Sequence, residues 1–226
     1  MKKTFTLILA AGTILFSSCK KDSKKIPANS ATYDSYFPLT ASSTWKYLVT
    51  EAGGSDTLTV ILTGATTVIN GKKSYAANSM YQKMGGSIGY FFGTNHLYGS
   101  ISSNQAVNLT IEFQFLNDNT AAGYSWISLP TENGLVNGVP ARAVNTIKEI
   151  NISKTVGGKT FNNVIHTEVD LQYNYGAGFE SSAAYEFYFA KGVGMIENST
   201  VISGNIYEKE SIISYNVAPA LLSPAI

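Results

Sequence analysis

Four groups of residues carry side chains whose chemistry and spacing merit a reading. Gly85-Gly86-Ser87-Ile88-Gly89 matches G-x-S-x-G, the pattern of a nucleophile elbow, with Asp118 and His166 following in the order a hydrolytic triad would need. Such an elbow requires a strand before the serine and a helix after it. Here Tyr90-Phe91-Phe92 continues as strand, so the segment reads as a Gly-rich hairpin and Ser87 as a third-ranked, serine hydrolase possibility. His166, Glu168 and Asp170 alternate on one strand face and are of metal-ligating type. Residues two apart on a strand lie about 7 Å from each other, too far for all three to hold one ion, and no fourth ligand is evident. His96 has no acidic residue or Cys beside it in sequence and reads as a loop or strand-edge residue. Cys19 is the single cysteine of 226 residues. No residue is therefore assigned to catalysis, to a metal or to a cofactor.

Cys19 stands at the end of a recognisable leader. Lys2 and Lys3 form a positive start, and Phe5 to Phe16 is uncharged and mostly apolar. That run is too short to span a bilayer, which needs about 20 residues, and has the length of a secretory segment. Phe16-Ser17-Ser18-Cys19 resembles a bacterial lipobox. The resemblance implies removal of residues 1–18 and attachment of diacylglycerol, with a further acyl chain, to Cys19. Two or more chains hold a protein stably on a membrane, whereas one is marginal. Residues 19–32 then form a polar tether, Lys20 to Thr32, with a reach of at most ~45 Å. Lys20, in place of the Asp that often marks inner-membrane retention among lipoproteins, points by that resemblance to the outer membrane.

The expected folded body is residues 33–216, one domain, with 217–226 as a C-terminal tail. Beyond Ile26 the chain has 10 Lys plus Arg against 14 Asp plus Glu, a net charge of −4. It therefore lacks the basic footprint of a nucleic-acid binder. Charged residues make up only 14% of the chain and aromatics 12%, and there are 20 Gly, a balance that suits a β-rich exported protein.

Periodicity agrees. From Val107 to Phe115 every odd position is apolar and every even one polar, the pattern of a strand with one wet face. Ile165 to Tyr175 repeats it, and Tyr185 to Phe189 is a less regular case. Shorter strands are expected at Thr44–Glu51, Asp56–Thr63, Thr66–Ile69, Ser74–Ser79, Ile88–Phe92, Tyr124–Ser128, Thr146–Ser153, Gly194–Glu197 and Ile206–Tyr215. Asn70-Gly71 is a hairpin turn signal, and Gly53-Gly54 and Gly157-Gly158 join further pairs. No stretch carries a sustained helical stripe. The expectation is an all-β fold, an antiparallel meander of about ten strands or slightly more, curved into a half-barrel or open barrel. The alternative is a two-sheet β-sandwich.

Four motifs in order carry a wider resemblance over residues 33–200. They are Tyr36-Phe37-Pro38-Leu39 with Trp45-Lys46-Tyr47, Asn70-Gly71-Lys72-Lys73-Ser74-Tyr75, Gly158-Lys159-Thr160-Phe161-Asn162-Asn163-Val164, and Ala190-Lys191-Gly192-Val193-Gly194. The chain resembles bacterial exported lipoproteins of domain-of-unknown-function type, remotely like the half-barrel lipoprotein carriers. Ser42-Ser43 stands where that group commonly has a Gly before the Trp. The resemblance implies a curved antiparallel sheet and transfers no catalytic residue. The expected function is non-catalytic, the binding of a partner such as an envelope protein or of an apolar ligand on the concave face. Trp45 and Tyr47, two apart on one strand, read as core anchors. Tyr173, Tyr175, Phe179 and Tyr188 are the candidate ligand face, which in a second reading would stack on glycans. Asp56-Thr57-Leu58 resembles a periplasmic O-glycosylation acceptor, with Thr57 as the modified residue.

Overall fold

The computed structural model describes residues 34–104 and 109–219, which belong to a contact unit running from Ala31 to Ile226. Cys19, the leader, the tether, Val107 with Asn108, and residues 220–226 lie outside the described residues. Thirteen strands follow one another: β1 (Thr44–Glu51), β2 (Gly54–Ile69), β3 (Lys72–Tyr81), β4 (Gly85–Thr94), β5 (Leu97–Asn104), β6 (Leu109–Asn117), β7 (Ser125–Ser128), β8 (Leu135–Val136), β9 (Val139–Val156), β10 (Lys159–Asn174), β11 (Phe179–Ala190), β12 (Gly194–Ile202) and β13 (Asn205–Asn216). There is no helix among the described residues.

All pairings are antiparallel, in the spatial order β6-β5-β4-β3-β2-β1-β13-β12-β11-β10-β9-β7, with the short β8 on β9. The chain thus meanders in two arms that meet where β1 pairs with β13. Tight turns make this possible. Asn70 and Gly71 have φ of 49° and 71°, the two positive values that a type I′ hairpin demands and that Asn and Gly adopt most readily. Asn95 and His96 bend the β4–β5 hairpin the same way at 47° and 67°, without a glycine.

The sheet curls until β6 approaches β9 and β10. No strand pairing joins them. Side chains bridge the gap instead: the Thr167 hydroxyl donates to the Phe115 carbonyl at 2.7 Å, and the Trp126 indole donates to Gln114 Oε1 at 3.0 Å. Phe113 packs on Tyr185 at 4.9 Å between centroids, and Phe115 on Phe187 at 5.4 Å. The result is a nearly closed barrel with one unsealed seam, rather than a sandwich.

Several elements differ from the sequence expectation. Asp56–Thr63 and Thr66–Ile69 are one strand, β2, carried through an irregularity between Leu62 and Thr66. The strand β5 was not expected, because Gly99, Ser100, Ser102 and Ser103 supply little apolar alternation. The even face of β6 is not simply wet. The Glu112 amide donates to the Pro130 carbonyl at 2.8 Å, and its carboxylate, 8% exposed, takes Lys72 at 2.7 Å and Gln114 at 2.9 Å.

The first and last of the four motifs meet in space. The Trp45 indole donates to the Val193 carbonyl at 2.6 Å and the Tyr47 hydroxyl to the Met195 carbonyl at 3.0 Å, both 148 residues away in sequence. A Cβ added at Gly194, whose φ is 105°, would lie 3.2 Å from the indole nitrogen, so the backbone passes close under Trp45 there. Phe37 seats edge-on against Phe91 (5.2 Å), Phe115 (5.1 Å), Phe189 (5.9 Å) and Tyr98 (6.0 Å). It is held by the Gly192 amide donating to the Ser35 carbonyl.

Candidate functional site

The barrel interior is filled on one side and open on the other. Phe115, Ile147, Ile165, Val169, Phe187 and Phe189 pack solidly toward β9–β11. Toward β1–β6 a cavity of about 470 Å³ remains, within the range of small-molecule sites. Period-two alternation aims one side chain in every two inward, and the inward set here is mostly apolar. Trp45, Tyr47, Leu58, Val60 and Leu62 form one wall, and Ile111, Phe113 and Tyr185 the wall beside the seam. The Phe37-Pro38-Leu39 segment contributes to the lining as well.

A few polar groups interrupt that lining. Ser79, Ser87 and Ser100 face it from β3, β4 and β5, Asn198 from β12 and Glu210 from β13. Glu210 is 8% exposed. Burial, then the nearby charge of Glu208, pushes its carboxyl up to about 7, against a smaller lowering by a hydrogen bond from Asn198. Burial, with Glu210 next, holds the Tyr47 phenol well above its usual value. Burial and the surrounding carboxylates, Glu210 foremost, push Tyr81 up to about 12. Such perturbed groups in a cavity mark a site where ligand chemistry can matter.

Apart from Trp45, Tyr47 and Ser87, the residues singled out from sequence fall elsewhere. Ser87 lines the cavity, but Gly85–Thr94 is strand throughout, so the elbow geometry is missing. Its would-be partners are engaged apart from it. Asp118 pairs with His96 Nδ1 at 2.7 Å, an acidic neighbour that sequence adjacency did not reveal. His166 gives Nδ1 to Glu149 at 3.0 Å and Nε2 to Glu186 at 2.5 Å. Burial opposes the charge on His166, yet these two carboxylates raise its pKa overall. Asp170 is taken by Gln172 and Ser181, and Glu168 lies 3.4 Å from Lys148. The structure therefore does not bring His166, Glu168 and Asp170 to one point. Among the described residues no group of three or more His, Cys, Asp or Glu is placed to hold a metal ion.

None of the four candidate aromatics lines the cavity. Tyr188 stacks on His166 at 4.2 Å and lies under the Lys154 ammonium, 3.6 Å from its ring centroid. Lys154 and Lys209 both reach the Glu197 carboxylate at 2.9 Å. Tyr173 and Tyr175 stack on each other at 6.0 Å, with Tyr175 largely exposed, and Phe179 carries the Arg142 guanidinium at 4.2 Å. Thr57 is half-buried within β2, opposite Leu48, and its amide donates to Asp56 Oδ1 at 2.6 Å. Alternation did flag Ile111, Phe113 and Phe115 as one face. It gave no sign that Glu210 shares the interior, because Glu208, Lys209, Glu210 and Ser211 form a polar run whose inward member depends on strand register.

No protein-family model and no curated protein matches this chain. Among solved structures it is similar to a protein of Parabacteroides distasonis ATCC 8503, provisionally named a lipoprotein. That match has 12% identity and a TM-score of 0.47, covering 82% of this chain and 99% of the other. It is also similar to a provisionally named exported protein of Bacteroides fragilis NCTC 9343, described as having a YmcC-like fold. There the identity is 8% and the TM-score 0.48, covering 80% and 98%.

Proposed function

We propose that this chain is a lipid-anchored envelope protein whose barrel holds an apolar ligand in its interior without transforming it. The supporting observation is the cavity of about 470 Å³ walled by aromatic and aliphatic side chains. Natural cores are packed to near-crystalline density with few voids, and a space of this size lined by apolar groups gains free energy from an apolar guest. The leader and Cys19 place such a vessel at a membrane, the outer membrane by the reading of Lys20.

The test uses the chain from residue 20 onward, titrated with the neutral fluorophore N-phenyl-1-naphthylamine. Saturable one-site fluorescence enhancement is expected. Ser79→Phe and Ser87→Phe, which fill the cavity from its polar side, should abolish it without lowering the unfolding midpoint. No enhancement by the unaltered chain refutes the reading. Ester hydrolysis that disappears with Ser87→Ala refutes the non-catalytic part.

A second reading draws on the stacked Tyr173 and Tyr175, the latter exposed. They form a platform of the kind that stacks on sugar rings, and retention on a polysaccharide column lost in Tyr175→Ala would favour glycan binding.

A further inference from the structure

The cavity is one-sided in charge. Among the described residues Glu210 is the only acidic one in its lining, and no Lys, Arg or His takes part in that lining. Beside burial, the groups among the described residues that move the Glu210 pKa are Glu208 and Asn198, neither of them basic. Its neighbours are Asn198 on β12, Glu208 on its own strand, and the phenols of Tyr47 on β1 and Tyr81 on β3. Asn198 sits directly across the ladder from Glu210, and its side chain lowers the Glu210 pKa against the larger effect of burial. The Tyr47 proton is committed to the Met195 carbonyl.

Acceptors are therefore in surplus. The Asn198 Oδ1 is buried and takes no hydrogen bond from the described residues. Once ionised, Glu210 adds two further acceptor oxygens beside the Asn198 side chain. Buried acceptors left unmet are costly, and a charged one costs more. A ligand that brings donors removes that cost; one that brings a second carboxylate adds to it. Trp45, Tyr47 and Tyr81 line the same cavity, and aromatic faces attract ammonium groups.

We infer that the cavity takes an amphiphile with an apolar body and one amine or ammonium head, which docks on Glu210 and the Asn198 Oδ1, and that it discriminates against carboxylate-headed chains. This rests on the reading of the barrel as a binding vessel and names the class of its ligand. Because Glu210 holds its proton up to about pH 7, the amine gains its full partner only on the alkaline side of neutrality.

The experiment is calorimetric titration of the chain from residue 20 onward with dodecylamine, dodecanol and dodecanoate, each below its aggregation concentration, at about pH 8 and about pH 5.5. At the higher pH dodecylamine should bind at least roughly tenfold more tightly than dodecanoate, the ratio expected of one charge-assisted hydrogen bond. Its advantage should shrink at the lower pH. Glu210→Gln should bring the two ligands to near-equal affinity. Asn198→Leu should weaken dodecylamine more than dodecanol, which keeps the inference testable should Glu210→Gln misfold.

Absence of dodecylamine binding overturns the inference. So does dodecanoate binding as tightly, or an amine preference that survives Glu210→Gln. If the fluorophore binds while the head preference is missing, only the ligand class fails. If neither the fluorophore nor any dodecyl chain binds, the vessel reading fails too.

Discussion

Replacing Glu210 with Gln should change how stability depends on pH more than it changes the fold. Gln keeps the shape of the side chain and removes its titration. In the native state burial and Glu208 lift the Glu210 carboxyl from 4.5 to about 7. Between those values the folded chain binds more protons than the unfolded one, so stability falls as pH rises. The contribution is whole below 4.5 and is lost as pH climbs through 7. At about 1.4 kcal/mol per pH unit, that gap corresponds to about 3 kcal/mol. Urea unfolding of the chain from residue 20 onward, at intervals from about pH 4.5 to pH 8, measures it. His166 acts in the same direction just above 6.5, because its pKa is also raised. Glu186 and Glu197, held low by their basic partners against burial, act in the opposite direction on acidification. All three remain in the variant and cancel in the difference between the two proteins. That difference should grow in favour of Glu210→Gln by about 3 kcal/mol across the range. A difference that stays level with pH would show that Glu210 is not buried with its charge uncompensated, and the cavity's electrostatics would have to be redrawn.

Other perturbations address the rest of the structure. Thr167→Val removes the buried donor to the Phe115 carbonyl at the seam and should cost about 1 kcal/mol. Hydrogen exchange should quicken along β6 and not at the β1–β13 pairing; the reverse would contradict the placement of the seam. Gly99→Ala puts a Cβ 2.5 Å from both the Phe113 carbonyl oxygen and the Phe92 ring, and should destabilise by about 1–3 kcal/mol through overpacking; an unchanged unfolding midpoint would refute that close approach. His166→Gln should cost about 1 kcal/mol near pH 5, where the imidazolium is paired with Glu186 and Glu149, and little at pH 8; equal losses at both would remove the ion pairs from the account. Cys19→Ser should abolish acyl labelling and release the protein from the membrane fraction, and persistent membrane association would defeat the proposed anchor.

Local pattern carried a good deal of this fold. Thr44–Glu51 has the bounds expected from its alternation, and Asn70-Gly71 turns where two positive φ values are needed. These are properties of neighbouring residues, which period-two geometry and turn chemistry govern directly. The export and lipidation proposed for the leader and Cys19 would be of the same kind, since such signals are read from a linear segment. The strand β5 escaped because Gly99, Ser100 and Ser102 form a strand through their partners on β4 and β6 rather than through propensity. The His96–Asp118 pair is 22 residues apart and exists only once the β4–β5 turn lies beside the end of β6.

The candidate site was decided in the same way. Alternation tells which residues share a face; it does not tell what stands opposite, nor how far a sheet curls before its edges meet. Tyr173, Tyr175, Phe179 and Tyr188 were credible as a ligand face on composition, yet the wall is made by Trp45, Tyr47, Phe113 and Tyr185, brought together by closure of β6 toward β10 and β11. Glu210 reads in sequence as one more acid in a polar strand. Only the register that sets it between Val49 and Asn198 takes it out of water. Desolvation is a property of the assembled surroundings, so the sequence alone determined the β character of the chain, while tertiary structure decided that the barrel encloses a cavity and that an acidic residue, Glu210, lines it.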